Sequence, residues 1–266
     1  RICITHFHGD HCLGLPGVVQ RLSLDQVRHP VPVHFPASGR QWFDRLRYAS
    51  AFRDRVDVRP EPIERDASIP IPELGVLEAR RLDHPIEAFG YRIIEPDGRR
   101  MVPARLEAAG VVGPQIGQLQ RHGSVRANGR LVTIDEVSVP RPGQRVAFVM
   151  DTRLCDAVYA LAEHADLLII ESTFLDADAA LAREYGHLTA RQAASVAAEC
   201  KVRRLVLTHF SQRYGQSAQN SEHTGTLESR FREEAAAVYD GDIVVAHDLM
   251  RVPVPRRRSP TDGRDA

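Results

Sequence analysis

Three imidazoles and a carboxylate stand within six residues near the start of the chain, in the run His6-Phe7-His8-Gly9-Asp10-His11. Neutral imidazole mixed with carboxylate suits zinc, with manganese or iron as alternatives, and the scattered cysteines form no C-x-x-C pair that could build the closed thiolate shell of a structural zinc finger. A histidine taken singly is usually a surface or hydrogen-bonded core residue. A His-x-His-x-Asp-His spacing is not explained that way. It points to open coordination in which a metal activates water, and so to hydrolysis.

Such a cluster needs elements to aim it. Arg1 to Thr5 reads as a short apolar strand ending directly at His6, so that alternate side chains diverge and a loop can turn them back toward one centre. Pro30 to Phe35 reads as a strand and Gly39 to Ala51 as an amphipathic helix. Val76 to Leu82 and Phe89 to Ile94 read as strands, the first closing on His84. From Arg145 strands and helices alternate: strand to Met150, helix Leu154 to Glu163, strand Leu167 to Glu171, helix Thr189 to Glu199, strand Arg204 to Thr208. A helix from Leu227 to Val238 and a strand from Ile243 to Ala246 follow, and the pattern is that of an α/β fold. Residues 100–143, rich in Gly, Pro and Gln, break the rhythm and predict an inserted arm with short helical or strand pieces at best. The Pro- and Arg-rich residues 253–266 predict a disordered tail, leaving 1–252 as the hydrolase domain. Because the densest chemistry falls at the sixth residue of a chain that opens inside a strand, the expectation is that strands preceding the motif are missing.

The formal net charge is zero, 35 basic residues against 35 acidic, so a polyanionic partner would have to be gripped by a local basic patch. Lys201 is the only lysine; the rest of the basic side is arginine, the better bidentate phosphate ligand. Cys3, Cys12, Cys155 and Cys200 are scattered without a disulfide framework, and no apolar run approaches the ~18 residues of a membrane span. The expectation is a soluble, cytoplasmic protein with no membrane partner.

The His-x-His-x-Asp-His run resembles the signature of the metallo-β-lactamase superfamily. That resemblance implies an αββα four-layer sandwich and further ligands at later strand ends, where His84, Asp151 and His209 stand. It assigns His6, His8 and His84 to one metal and Asp10, His11 and His209 to a second, with Asp151 bridging. Two Zn2+ per chain are implied, with Mn2+ possible. Such a pair lowers the pKa of a shared water and clamps a phosphoryl group. The motif alone does not select the bond that is cut.

Narrower runs do. Ala88-Phe89-Gly90-Tyr91-Arg92, Val149-Met150-Asp151-Thr152-Arg153, Gly186-His187-Leu188-Thr189-Ala190 and Leu207-Thr208-His209-Phe210-Ser211-Gln212-Arg213-Tyr214 together resemble ribonuclease Z, in order from Ile2 to about Tyr214. The resemblance implies a zinc-dependent endoribonuclease that removes the 3′ trailer from precursor tRNA, usually as a homodimer. Asp10 would also accept a proton from the attacking water. His187, helped by Glu171, would donate one toward the leaving 3′ oxygen. Residues 100–143 would be the tRNA-binding arm, with Gly113-Pro114-Gln115-Ile116-Gly117 resembling its Gly-Pro motif. The chain departs from the pattern in four places. Gln118 and Gln120 stand where the family commonly has lysines, leaving Arg121, Arg126 and Arg130 to meet phosphates. Ile170 stands where many members have histidine, and Leu188 where many have serine. The alternatives are a hydrolase of the same fold acting on another ester or phosphodiester, and a catalytically impaired, truncated RNA-binding chain.

Overall fold

The computed structural model describes residues 1–72, 74–215 and 226–257. Two compact units divide them: residues 1–94 with 145–255, and residues 95–144 with Arg256 and Arg257.

The first unit opens with β1 (Ile2–Cys3), α1 (Gly9–Cys12), α2 (Leu15–Leu24), β2 (Val31–Pro36), α3 (Arg40–Arg47) and β3 (Val58–Ile63). The three strands form a parallel sheet in the order β1-β2-β3. Val31, Val33 and Phe35 alternate onto one face of β2, where they pack with Leu15 and Val19 of α2 and Phe43 of α3. The rings of Phe35 and Phe43 stack with centroids 4.6 Å apart.

Next come β4 (Ala67–Ile71), β5 (Gly75–Arg81) and β6 (Phe89–Ile94). The second unit interrupts with β7 (Gly98–Met101), α4 (Pro103–Ala108), α5 (Pro114–His122), β8 (Ser124–Ala127), β9 (Arg130–Thr133), α6 (Ile134–Val137) and β10 (Ser138–Arg141). The first unit then resumes with β11 (Arg145–Val149), α7 (Asp156–Ala162), β12 (Leu167–Glu171), α8 (Ala179–Tyr185), α9 (Ala190–Glu199), β13 (Arg204–Thr208), α10 (Leu227–Ala236) and β14 (Asp242–Val245). Its larger sheet has the order β14-β13-β12-β11-β6-β5-β4.

One face of that sheet is covered by α7, α9 and α10 through a core that includes Val158, Leu161, Ala193, Val196, Leu205 and Phe231. The opposite face of β5 and β6 meets the small sheet. Leu77, Ala79, Phe89 and Tyr91 are buried with Ile63 of β3, and the Tyr91 hydroxyl donates to the Ile4 carbonyl at 2.8 Å. Helices, two sheets and helices thus make the αββα sandwich that the motifs imply.

Direction matters more than layering for the site. β11, β12, β13 and β14 are mutually parallel, and β5, two antiparallel steps from β11, runs the same way. Their C-terminal ends therefore share one edge of the sheet. The N–H of Phe89, at the start of antiparallel β6, donates to the Thr5 carbonyl at 2.9 Å, which brings the end of the first strand segment to the same edge.

The structure departs from the sequence reading in several places. The helix expected to reach Ala51 stops at Arg47, whose guanidinium turns back to the Val58 carbonyl at 2.9 Å and to Asp54 at 3.0 Å. β3 and β4 had no counterpart in the hydrophobic pattern. Both carry prolines and both are edge strands, the position in a sheet where a missing N–H is tolerated. Residues 95–144 hold the short helical and strand pieces expected of them, but these pieces share a core of their own, which the sequence did not suggest, in Leu106, Ala109, Val111, Leu119, Ala127, Val132 and Val137. Within the stretch expected to be a disordered tail, the Pro253 carbonyl accepts from Arg204 at 2.6 Å, and Arg257 pairs with Glu95, its Nη2 lying 2.9 Å from Oε1. Residues 258–266 of that expected tail lie outside the described residues. Among the described residues no helix is long and apolar enough to cross a membrane.

Candidate metal centre

All seven residues singled out as ligands leave the same sheet edge, and they fall into two clusters. In the first, His8 Nδ1 lies 3.1 Å from His6 Nε2 and 3.2 Å from His84 Nε2. Asp151 Oδ2 stands 3.5 Å from His6 Nε2 and 3.8 Å from His84 Nε2. In the second, His11 Nε2 and His209 Nε2 are 3.1 Å apart, with Asp10 Oδ2 at 3.3 and 3.4 Å from them. Asp151 Oδ1 is 3.2 Å from His11 Nε2 and 3.4 Å from His209 Nε2. One carboxylate therefore turns one oxygen to each cluster.

Neighbouring groups set which ring nitrogens face inward. A carbonyl can only accept, so the 3.0 Å contact of His84 Nδ1 with the Gly186 carbonyl makes Nδ1 the protonated nitrogen and leaves a lone pair on Nε2. That carbonyl is delivered by the end of α8. Gly186 closes the helix at φ +79°, and a Cβ there would sit 2.7 Å from Pro85 Cδ and 3.0 Å from His84 Nδ1, so the position requires glycine twice over. Arg153 holds the same helix end through the Arg183 and Glu184 carbonyls, at 2.7 and 3.2 Å, and pairs with Asp83 at 3.2 Å. The Thr5 hydroxyl faces His6 Nδ1 at 3.1 Å.

The backbone is strained where the ligands turn inward: Asp151 has φ +23° and His209 φ +62°. Each such position costs on the order of 1–3 kcal/mol. Burying one core side chain contributes about 1.5–3 kcal/mol. The strands that carry these residues are anchored against that strain by fully buried Val149, Leu205 and Leu207.

The donors fit a pair of cations. Asp151 Oδ1 is buried and finds no hydrogen-bond donor, and such an orphan is costly unless positive charge meets it. Four donors placed around one ion at about 2.0–2.1 Å would lie about 3.3 Å from one another in tetrahedral geometry, close to the spacings found in both clusters. Burial lowers the imidazole of His84 to about 4, favouring the neutral ring that a metal needs. Burial alone would raise the Asp151 carboxyl, but the imidazoles of His11 and His6 close beside it reverse this and hold it well below the usual carboxylate range.

Beside the clusters stands His187, whose Nδ1 is 2.9 Å from Glu171 Oε1. Burial disfavours its charged form, yet the Glu171 contact outweighs this and raises the imidazole above its ordinary value. Glu171 is wholly buried, while His8 and Asp10 are exposed, so the site has a closed floor and an open rim. His187 also falls within a third group of possible ligands with Asp151 and His209, which the sequence did not suggest. Sequence reasoning also missed Thr5, Thr173 and the Gly186 carbonyl. A hydroxyl or carbonyl that acts by touching a distant ring leaves no mark in local spacing. Ile170 and Leu188, at the two divergent positions, are fully buried in the apolar core and carry no proton-transferring group.

The description of the metallo-beta-lactamase superfamily matches residues 1–138, and that of the beta-lactamase superfamily domain matches residues 120–210. A ribonuclease Z of Salinispora arenicola is 61% identical over 263 residues, covering 99% of this chain and 82% of that protein. A ribonuclease Z of Nocardia farcinica is 58% identical over 259 residues, covering 97% and 81%. One from Chlamydia trachomatis is 41% identical, covering 85% and 75%. Among solved structures, the short form of human tRNase Z superposes with a TM-score of 0.57 at 24% identity, covering 96% of this chain and 78% of the other. The metallo-beta-lactamase fold protein YhfI of Bacillus subtilis gives 0.57 at 19%, covering 92% and 73%. These two share the fold.

Proposed function

The chain belongs to the ribonuclease Z family, within the metallo-beta-lactamase superfamily, and from that premise we propose that it is a zinc-dependent endoribonuclease that removes the 3′ trailer of precursor tRNA. The observation that carries the reading is Asp151, one oxygen to each histidine cluster, with the His187–Glu171 pair alongside.

In this reading His6, His8 and His84 would hold one zinc ion, Asp10, His11 and His209 would hold the other, and Asp151 would serve both. The pair supplies an acidified water and neutralises charge on the scissile phosphate. Asp10, on the exposed rim, orients the water and accepts its proton. Glu171 fixes His187 through Nδ1, so that Nε2 points its proton to the departing 3′ oxygen. The unit of residues 95–144 serves as the arm that grips tRNA. There Gly113 and Pro114 open α5, and the exposed Arg121 and Arg126 are offered to phosphates, while Arg130 pairs with Glu136 at 2.7 Å. A homodimer acting in the cytoplasm completes the reading. The dimer rests on the motif resemblance, and the compartment on the RNA substrate and four cysteines free of disulfides.

Elemental analysis after reconstitution should give two divalent ions per chain, and one ion would contradict the paired centre. The metal-loaded protein should then cut a precursor tRNA at its trailer junction. Turnover of a small phosphodiester with none of precursor tRNA would favour a different substrate for the same site.

A further inference from the structure

Glu171 is fully buried, and its hydrogen bonds use its acceptor capacity completely. Oε1 accepts from the Thr152 backbone N–H at 3.0 Å and from His187 Nδ1–H at 2.9 Å. Oε2 accepts from the Thr173 backbone N–H at 3.1 Å and from the Thr173 hydroxyl at 2.6 Å. A carboxylate offers about two acceptor positions per oxygen, so none is left over.

The Thr173 hydroxyl has one proton, and the 2.6 Å contact, shortest of its three to side chains, commits that proton to Glu171. The same oxygen lies 2.8 Å from His209 Nδ1. Having given its proton away, it can only accept there. His209 must therefore carry its hydrogen on Nδ1 and present a lone pair on Nε2, the atom that faces His11, Asp10 and Asp151. The oxygen also lies 3.3 Å from His187 Nδ1, so one hydroxyl touches both sides of the site.

We propose that Thr173 is a positioning residue: by donating to Glu171 and accepting from His209, it fixes the His209 tautomer that can bind metal and ties that metal pocket to the carboxylate orienting His187. The proposal rests on the reading of these clusters as a two-metal centre. His84 and His6 each have their own Nδ1 partner, the Gly186 carbonyl and the Thr5 hydroxyl. Of the two metal pockets, loss of the Thr173 hydroxyl should therefore weaken only the one that His209 serves.

The test compares the wild type with Thr173→Val, which keeps the side-chain shape without the hydroxyl, and with Thr173→Ser, which restores it. Stepwise zinc affinity is read by chelator competition, the His209 ring nitrogens by 15N NMR of the zinc-loaded protein, and kcat and KM on precursor tRNA. Thr173→Val should weaken one of the two zinc sites by about 10- to 100-fold, leave the other within about 3-fold, and lower kcat with KM unchanged. Thr173→Ser should bind both ions like the wild type. In the wild type, His209 should show a protonated Nδ1 and zinc on Nε2. Zinc on Nδ1 of His209 would overturn the proposal without any variant, so a poorly folding Thr173→Val cannot shield it. A wild type with two zinc ions and an unaltered Thr173→Val would overturn this proposal alone. A wild type that binds no zinc pair would overturn the metal reading as well.

Discussion

Asp151→Ala is expected to lose both ions and to lower kcat on precursor tRNA by on the order of 10⁴-fold or more, the scale reached when one member of an interdependent catalytic unit is removed. Its two oxygens face separate clusters at 3.2 to 3.8 Å, so no other side chain can replace it in both. Alanine also fits the φ of +23° poorly. Asparagine accepts that backbone more readily and keeps the shape without the charge, so Asp151→Asn should lose metal while remaining folded. His187→Ala is the contrasting variant. It should keep two ions and lose about 10²- to 10⁴-fold in kcat, the usual contribution of a positioned acid. Because His187 also groups with Asp151 and His209, the comparison is decisive: metal loss from His187→Ala equal to that from Asp151→Ala would make His187 a ligand rather than a proton donor.

Replacing residues 96–143 with a short turn is expected to reduce kcat/KM on precursor tRNA by on the order of 10²-fold or more, as contacts to phosphates are lost. Hydrolysis of a small chromogenic phosphodiester should stay within about 3-fold. The boundaries follow from the ladder. Ile94 of β6 pairs with Arg145 of β11, and the Glu95 N–H donates to the Gln144 carbonyl at 2.9 Å, so a hairpin turn can close the gap without disturbing the sheet. A cut from Ala109 to Gly129 would be a worse choice. It would remove Val111, Leu119 and Ala127 from a core that also needs Leu106, Val132 and Val137. With zero net charge on the chain, tRNA affinity has to come from local arginines, and the effect should shrink as salt is raised. Equal loss on both substrates would show that the unit supports the chemistry itself rather than gripping RNA.

The parts of the site that were legible in the sequence are those whose chemistry and position are both local. His6, His8, Asp10 and His11 sit within six residues, and His84, Asp151 and His209 each follow an apolar strand that the alternation of elements reveals. What the sequence concealed is contact between distant residues. Thr173 is an unremarked hydroxyl until the fold sets it 2.8 Å from His209, and a backbone carbonyl such as that of Gly186 has no sequence identity at all. The positive φ of Asp151 and His209 was equally hidden, since nothing in an aspartate or histidine requires the left-handed region. In the fold, prolines in β3 and β4 masked two edge strands. Glycine and glutamine in residues 95–144 obscured a core made from few, widely spaced apolar residues.

The most direct test of the account is end-group analysis of the products formed when the metal-loaded protein cuts a precursor tRNA. Attack by water, with a proton delivered to the departing 3′ oxygen, must leave a 3′-hydroxyl on the tRNA body and a 5′-phosphate on the trailer. Removing the metal with a chelator should stop the reaction, and returning zinc should restore it with the same ends. A 2′,3′-cyclic phosphate on the tRNA body, or cleavage that survives complete metal removal, would contradict the account.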